Sequence, residues 1–98
     1  MTINIGNYTF DGAYSSPTHL ADRSGVYAVL GATMNGKKVV DIGESGGIRS
    51  RVQAHDRAQA WARHGLPLSY AALYCDETSR MRIERELRAR YNPPCGDR

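Results

Sequence analysis

The strongest structural signal in this 98-residue sequence is the stretch GVYAVLGATMNGKKVVDIG, residues 25–43. Two apolar segments rich in β-branched residues, 25–33 and 38–43, flank the dipeptide Asn35-Gly36. Both residues of that dipeptide tolerate a positive φ, which is typical of a tight hairpin turn. The stretch therefore predicts two antiparallel strands joined by a short turn.

The chain beyond this hairpin predicts a helix, a strand and a second helix, in that order. Ser45 can cap the first helix, and Gly65 is placed to end it. Residues 68–75 are short and apolar, which favours a third strand. Thr78 or Ser79 can cap the second helix. The predicted order is β-β-α-β-α, an α+β fold with a small three-stranded antiparallel sheet flanked by helices.

Residues 1–24 give a weaker pattern. Apolar and polar residues alternate over a short stretch, but glycines and a proline interrupt it. Such a pattern is typical of an edge strand or an irregular segment. We therefore expect a lead-in at 1–24 with a possible edge strand, followed by one domain at 25–98.

Charge is distributed unevenly along the chain. Residues 1–44 hold three basic and four acidic side chains, whereas residues 45–98 hold ten basic and six acidic ones. All ten basic residues of the second half are arginines, whose planar fork suits bidentate phosphate contacts. The second half is therefore a candidate surface for a polyanion, and ordinary surface charge is the alternative.

The expected location is the cytoplasm. No apolar run approaches the length of a membrane span, and the first residues lack the pattern of a signal peptide. The two cysteines, Cys75 and Cys95, are not spaced as a zinc site and fit reduced thiols.

Glu84 interrupts the apolar pattern of the second helix. One helical face holds residues at the spacing i, i+3, i+6 and i+10: Met81, Glu84, Leu87 and Tyr91. A charge on an apolar stripe must be paired, coordinated or catalytic. The structural alternative is an ion pair with one of three arginines, Arg51, Arg80 or Arg88.

Several ordered segments resemble the GIY-YIG nuclease domain. They are Gly25-Val26-Tyr27, Asp41-Ile42-Gly43, Ile48 with Arg51 and His55, Glu84 with Leu87, and Pro93. The resemblance covers roughly residues 25–96 and depends on the spacing of the whole set. It implies a DNA endonuclease that hydrolyses phosphodiester bonds with one divalent metal, Mg²⁺ or Mn²⁺. It also implies that Glu84 holds this metal and that Tyr27 lies next to the attacking water.

The chemistry of phosphodiester cleavage suits these residue types. A carboxylate such as Glu84 is a ligand that Mg²⁺ accepts alongside several waters. Arg51 can stabilise charge on Tyr27 and can contact the scissile phosphate. His55 follows Arg51 by four residues, which places both on one side of a continuous helix, and it can relay a proton from Tyr27 or bind the phosphate.

Three positions depart from the family pattern: Asp41 replaces the second tyrosine, Glu44 a lysine and Gly96 an asparagine. Asp41 can be a second metal ligand, a replacement base, or a sign that the site no longer cleaves.

The hairpin register decides between these roles, because a one-residue slip reverses the face of a side chain. An Asn35-Gly36 loop places Asp41 opposite Leu30, whereas a three-residue loop over residues 34–36 places it opposite Val29. We expect the second register, in which Asp41 shares the sheet face of Tyr27.

The predicted function is therefore a metal-dependent DNA endonuclease, and RNA is left open as a partner. The candidate nucleic-acid contacts are Arg49, Arg51, Arg57, Arg63 and Arg88. The alternative is a catalytically silent nucleic-acid-binding or protein-interaction module on the same scaffold. Nothing outside the core is large enough for a separate recognition domain, so sequence specificity would require a homodimer, a partner protein, or the lead-in residues with the loop around Leu66 and Pro67.

Overall fold

The computed structural model describes residues 1–55 and 58–95. The strands are β1 (Thr2–Ile5), β2 (Tyr8–Tyr14), β3 (Gly25–Thr33), β4 (Gly36–Ser45) and β5 (Leu68–Tyr74). The α-helices are α1 (Ile48–Gln53), α2 (Ala58–Trp61) and α3 (Glu77–Tyr91), with 3₁₀ helices at Pro17–His19 and Ala62–His64. Over the described ranges the strands form one antiparallel sheet in the order β1-β2-β5-β3-β4.

The α+β class is confirmed, but the prediction of a three-stranded sheet in the order β-β-α-β-α is wrong. The three predicted strands are present as β3, β4 and β5, with β3 between the other two. Residues 1–24 add β1 and β2, and β2 pairs with the free side of β5. The chain reverses between them at Gly6, whose φ of 62° suits a residue without a Cβ. Ile5 and Phe10 of these strands are buried in the core.

Each face of the sheet buries its own apolar cluster, because successive side chains of a strand point to opposite faces. On one face, Ile83 and Leu87 of α3 pack against residues such as Val26 and Ile42. The other face holds Tyr27 and Val29, which α1 and α2 cover with Ile48, Val52 and Trp61. Tyr27 therefore lies beneath α1 and α2, and α3 lies on the opposite side.

The β3–β4 hairpin has neither of the two loops that were considered from the sequence. Thr33 pairs with Gly36, so Met34 and Asn35 form the turn. Leu30 pairs with Val39, and a bulge at Val40 then shifts the register by one residue. Asp41 consequently lies opposite Val29, as the favoured register required, although the three-residue loop predicted to produce it is wrong.

The single helix predicted between Ser45 and Gly65 is wrong, because the structure divides it. α1 ends at Gln53, and α2 begins only at Ala58. The predicted Ser45 cap is also wrong: the N-cap of α1 is Gly47, without a side-chain cap bond. Instead, the Asp22 carboxylate accepts from the Ser50 backbone N–H at 2.9 Å, which satisfies a donor that the helix start leaves open.

The predicted stripe of α3 is wrong at both of its ends. Its buried residues are Ile83, Glu84 and Leu87, whereas Met81 and Tyr91 are 48% and 37% exposed. The spacing of the four residues did not determine which side of the helix faces the core, and the predicted face omitted the buried Ile83. None of the described helices combines the length and the apolar character that crossing a membrane requires.

The N-cap of α3 is Asp76, and not Thr78 or Ser79 as the sequence suggested. Its carboxylate accepts from the Ser79 backbone N–H at 2.8 Å, and that bond holds the pKa of Asp76 below its ordinary value of 3.8. Because the pKa is lowered in the folded state, the charged cap stabilises the fold above pH 3.8, and this contribution is lost as the pH falls through the folded-state pKa.

We therefore expect Asp76→Ala to lower the melting temperature most at neutral pH. As the pH falls below 3.8 and through the lowered folded-state pKa, the wild-type carboxylate becomes protonated, so the difference between the two proteins should shrink. Thermal melts of both proteins, from neutral pH to below pH 3.8, would measure the difference in melting temperature. A difference that does not change with pH would contradict the charged cap.

Candidate active site

The centre of the candidate site is a hydrogen bond between Tyr27 and His55. Tyr27 comes from the central strand β3, and His55 follows α1 directly. The Tyr27 hydroxyl lies 2.7 Å from Nε2 of His55, and the rings meet edge to face. Both side chains are buried, with exposures of 2% and 5%. This short contact between an ionisable phenol and an imidazole can transfer a proton within a protected space.

Gly43 makes room for the Tyr27 ring. The two residues pair directly across the β3–β4 ladder. A Cβ built on Gly43 would overlap the Tyr27 hydroxyl and the adjoining ring carbons. A glycine is therefore required at this position by the tyrosine that lies over it.

Gly43→Ala should displace the Tyr27 ring and weaken its bond to His55. We expect a destabilisation of about 1–3 kcal/mol, the usual cost of an added methyl group in a packed core. Chemical denaturation measures the free energy of unfolding. Gly46→Ala is the matched control, since a Cβ there meets only Nη1 of Arg80, at 3.7 Å. Equal stability of the two variants would show that the Tyr27 ring is not confined.

Two hydrogen bonds from other groups of the protein hold the Asp41 carboxylate in place. It is fully buried, and its Oδ2 accepts from Nε1 of Trp61 at 2.8 Å while its Oδ1 accepts from the Ile42 backbone N–H at 2.8 Å. Nε2 of His55 lies 4.0 Å from Oδ2, which is too long for a hydrogen bond but close enough for electrostatic attraction. Asp41 therefore places negative charge beside the imidazole.

Arg88 of α3 lies between two carboxylates. Its Nη1 donates to the Ile42 carbonyl at 2.7 Å and lies 3.7 Å from Oδ1 of Asp41. Its Nε lies 3.7 Å from Oε2 of Glu84, which is 7% exposed. The arginine thus connects Glu84, on the α3 side of the sheet, with Asp41.

The structure brings together Tyr27, Asp41, His55, Glu84 and Arg88 of the residues predicted from the sequence. Among the three arginines considered as ion-pair partners of Glu84, it places Arg88 beside it. Arg88 was also predicted as a nucleic-acid contact, but its side chain is only 11% exposed.

Arg51 differs from these residues in its exposure to solvent. It is exposed on α1, whereas His55 is buried beyond the end of that helix. The expectation that Arg51 and His55 share one side of a continuous helix is therefore wrong. Arg49 and Arg63 are also exposed, while Arg57 and Gly96 lie outside the described residues.

Trp61 is the site residue that the sequence analysis missed. Its ring lies 4.6 Å from that of His55, and its N–H holds Asp41. A buried tryptophan usually requires an acceptor for its N–H. With Asp41 already predicted on the sheet face of Tyr27, the single tryptophan of the sequence was the signal that could have identified the pair.

Glu44, the second acidic departure from the family pattern, is neutralised. Its Oε1 accepts from Nε of Arg80 at 2.7 Å, and Nη1 of the same arginine donates to Ser24 Oγ at 2.9 Å. Arg80 thereby ties the start of β3 and the end of β4 to α3. Glu44 is consequently paired and is not an additional uncompensated charge.

The site offers carboxylate oxygens, which are ligands that Mg²⁺ accepts. Among the described residues, no group of three or more His, Cys, Asp or Glu side chains is arranged to hold a metal. Mg²⁺ commonly takes one or two protein carboxylates and keeps several waters, so a single Glu84 fits that mode. Asp41 fits it poorly, because both of its oxygens accept N–H bonds from the protein.

Comparison with known proteins gave no match to a family model, to a curated protein or to a solved structure. The resemblance to the GIY-YIG domain therefore stays a prediction from the sequence.

Proposed function

We propose that this protein is a metal-dependent endonuclease that hydrolyses phosphodiester bonds in DNA. The observation that supports this best is the 2.7 Å contact between Tyr27 and His55, within a connected group of side chains that includes Glu84. Hydrolysis of a phosphodiester requires a base for the attacking water and a way to neutralise charge on the phosphate. The group holds residue types suited to both tasks.

Tyr27 and His55 act as the proton-transfer pair. With Nε2 of His55 unprotonated, the imidazole takes the Tyr27 proton, and the tyrosine oxygen then accepts a proton from water. Asp41 lies 4.0 Å from Nε2 and stabilises the imidazolium that results. Asp41 is a positioning residue in this scheme, and Trp61 holds it in place.

Glu84 would hold the metal, as the resemblance implies. A bound Mg²⁺ or Mn²⁺ would neutralise charge on the scissile phosphate and on the leaving oxygen. Arg88 keeps the Glu84 carboxylate oriented through their 3.7 Å contact. Arg49, Arg51 and Arg63 are exposed and would contact phosphates.

Plasmid DNA incubated with the purified protein tests this proposal. We expect nicked or linear product with Mg²⁺ or Mn²⁺ and none with a chelator. Intact plasmid under all metal conditions, from protein shown to be folded, would refute the proposal.

Arg51 on α1 and Arg63 on the 3₁₀ helix Ala62–His64 give a separate prediction. Arg51→Ala should lower turnover by about 10-fold or more if its fork contacts the scissile phosphate, whereas Arg63→Ala should weaken binding and reduce the salt dependence of the affinity. Single-turnover cleavage rates and binding titrations at several salt concentrations separate the two effects. The same change for both variants would indicate a diffuse basic surface.

The second candidate function is a nucleic-acid-binding module without catalysis. The burial of Tyr27 and His55 favours it, because water must reach the tyrosine oxygen for the chemistry above. This candidate predicts DNA binding in the plasmid experiment without cleavage. As for location, Cys75 and Cys95 are present as thiols and not as a disulfide, which fits a reducing compartment, and we propose the cytoplasm.

A further inference from the structure

An aromatic pair lies at the end of β2, within the residues that the family resemblance does not cover. The rings of Tyr14 and His19 stack with centroids 5.4 Å apart and planes 30° from parallel. The Tyr14 hydroxyl donates to Oδ1 of Asp11 at 2.6 Å, which fixes the inner ring of the pair. His19 is exposed, so the outer ring is accessible to solvent.

The segment that holds this pair is anchored to the start of α1. The Ile48 backbone N–H donates to the Arg23 carbonyl at 2.9 Å, and Asp22 accepts from both the backbone N–H and the hydroxyl of Ser50. The exposed Arg49 lies on this first turn of α1, between Ile48 and Ser50. The segment that holds the aromatic pair is thus bonded to the helical turn that carries the exposed guanidinium of Arg49.

The pair shares a sheet face with the candidate active site. Tyr14 pairs with Tyr70 of β5, and Tyr70 pairs with Val29 of β3. Val29 and Tyr27 lie two residues apart on β3 and point to the same face. Tyr14 and Tyr27 are therefore separated by two inter-strand spacings, about 10 Å measured across the sheet.

We propose that the Tyr14–His19 pair stacks an unpaired nucleobase while Arg49 contacts a neighbouring phosphate. Every base has an aromatic face, and stacking on protein rings is the common way to bind single strands. In a duplex those faces are covered by neighbouring bases, so the pair distinguishes unpaired from paired nucleotides. Two carboxylates lie nearby, and both accept hydrogen bonds within the protein, Asp11 from Tyr14 and Asp22 from Ser50. This inference rests on the proposed function and names its substrate class, single-stranded or locally unpaired nucleic acid.

Fluorescence anisotropy with end-labelled oligo(dT), measured in a chelator, tests the stacking without cleavage. His19→Ala should weaken the affinity by about 5- to 150-fold, the range found for removing one base-stacking side chain. His19→Tyr keeps an aromatic ring and should bind nearly as tightly as the wild type. His64→Ala is the matched control, because His64 is a partly exposed histidine at the end of the other 3₁₀ helix.

The same titrations with a blunt duplex provide the contrast, and there His19→Ala should change the affinity little. Tyr14→Leu, which keeps bulk and removes the ring, should reproduce the loss for oligo(dT). Unchanged oligo(dT) binding by folded His19→Ala protein, or an equal loss for the duplex, would overturn the stacking site.

The outcome is separable from that of the nuclease proposal. Oligo(dT) binding that depends on His19 in a protein that never cleaves would support the stacking site and refute the nuclease. Cleavage that depends on Glu84, together with unchanged oligo(dT) affinity in the His19 variants, would support the nuclease and refute the stacking site.

Discussion

Replacing Glu84 by glutamine is expected to lower the cleavage rate by about 100-fold or more, the usual effect of removing a group that stabilises transition-state charge. The amide keeps the shape of the side chain but loses the negative charge that would hold Mg²⁺. DNA binding in a chelator should remain close to wild type, because Glu84 itself contributes no attraction for phosphate. Cleavage and binding assays on the same preparation would measure both quantities.

Glu86→Gln is the matched control for this experiment. Glu86 is exposed on α3 and accepts a hydrogen bond from the Tyr8 hydroxyl at 2.8 Å, which an amide oxygen can also accept. Its variant should cleave at nearly the wild-type rate. Wild-type turnover in Glu84→Gln would remove this residue from the mechanism, and equal losses in both variants would point to general damage to α3.

The second large effect is expected at Asp41. Asp41→Ala should destabilise the protein by about 3–5 kcal/mol, as found when one partner of a buried ionic contact is removed. The Trp61 N–H would lose its acceptor at a fully buried position, and Arg88 would lose a neighbouring negative charge. Urea unfolding monitored by circular dichroism would measure the loss.

Asp41→Asn separates shape from charge at the same position. Both carboxylate oxygens accept N–H bonds, and an amide offers only one acceptor oxygen, so either Trp61 or Ile42 would face an NH₂ group. We expect a smaller loss of about 1–3 kcal/mol. Combined with Trp61→Phe, which removes the opposing N–H, the two losses should be clearly non-additive. Strict additivity would show that the Asp41–Trp61 bond contributes nothing to stability.

The strands and helices that repeat a clear pattern were predictable, and those that depend on distant partners were not. The apolar segments around Asn35-Gly36 and the short apolar run at 68–75 predicted β3, β4 and β5. β1 and β2 were harder to recognise because glycines interrupt their pattern and because β2 pairs with β5, which lies far along the chain. The break between α1 and α2 has no glycine or proline to mark it. His55 is buried just beyond the end of α1.

The membership of the candidate site was more predictable than its geometry. The helical spacing pointed to Glu84, and the resemblance to the GIY-YIG domain pointed to Tyr27, Asp41 and His55. All four are buried within connected contacts. The orientation of Asp41 was not derivable from loop length, because a bulge at Val40 sets it. Hydrophobic periodicity gives no information about such a bulge, nor about Trp61, whose N–H reaches a strand 20 residues away in sequence.

The position of Trp61 also gives the protein an internal optical reporter. It is the one tryptophan in the sequence, so fluorescence excited selectively at the indole band originates beside His55 and Asp41. Indole emission responds to the polarity around the ring and to a charged imidazole close to it. A metal ion, an oligonucleotide or a substitution that rearranges this group can therefore be followed in the unlabelled protein, at concentrations low enough for equilibrium titration.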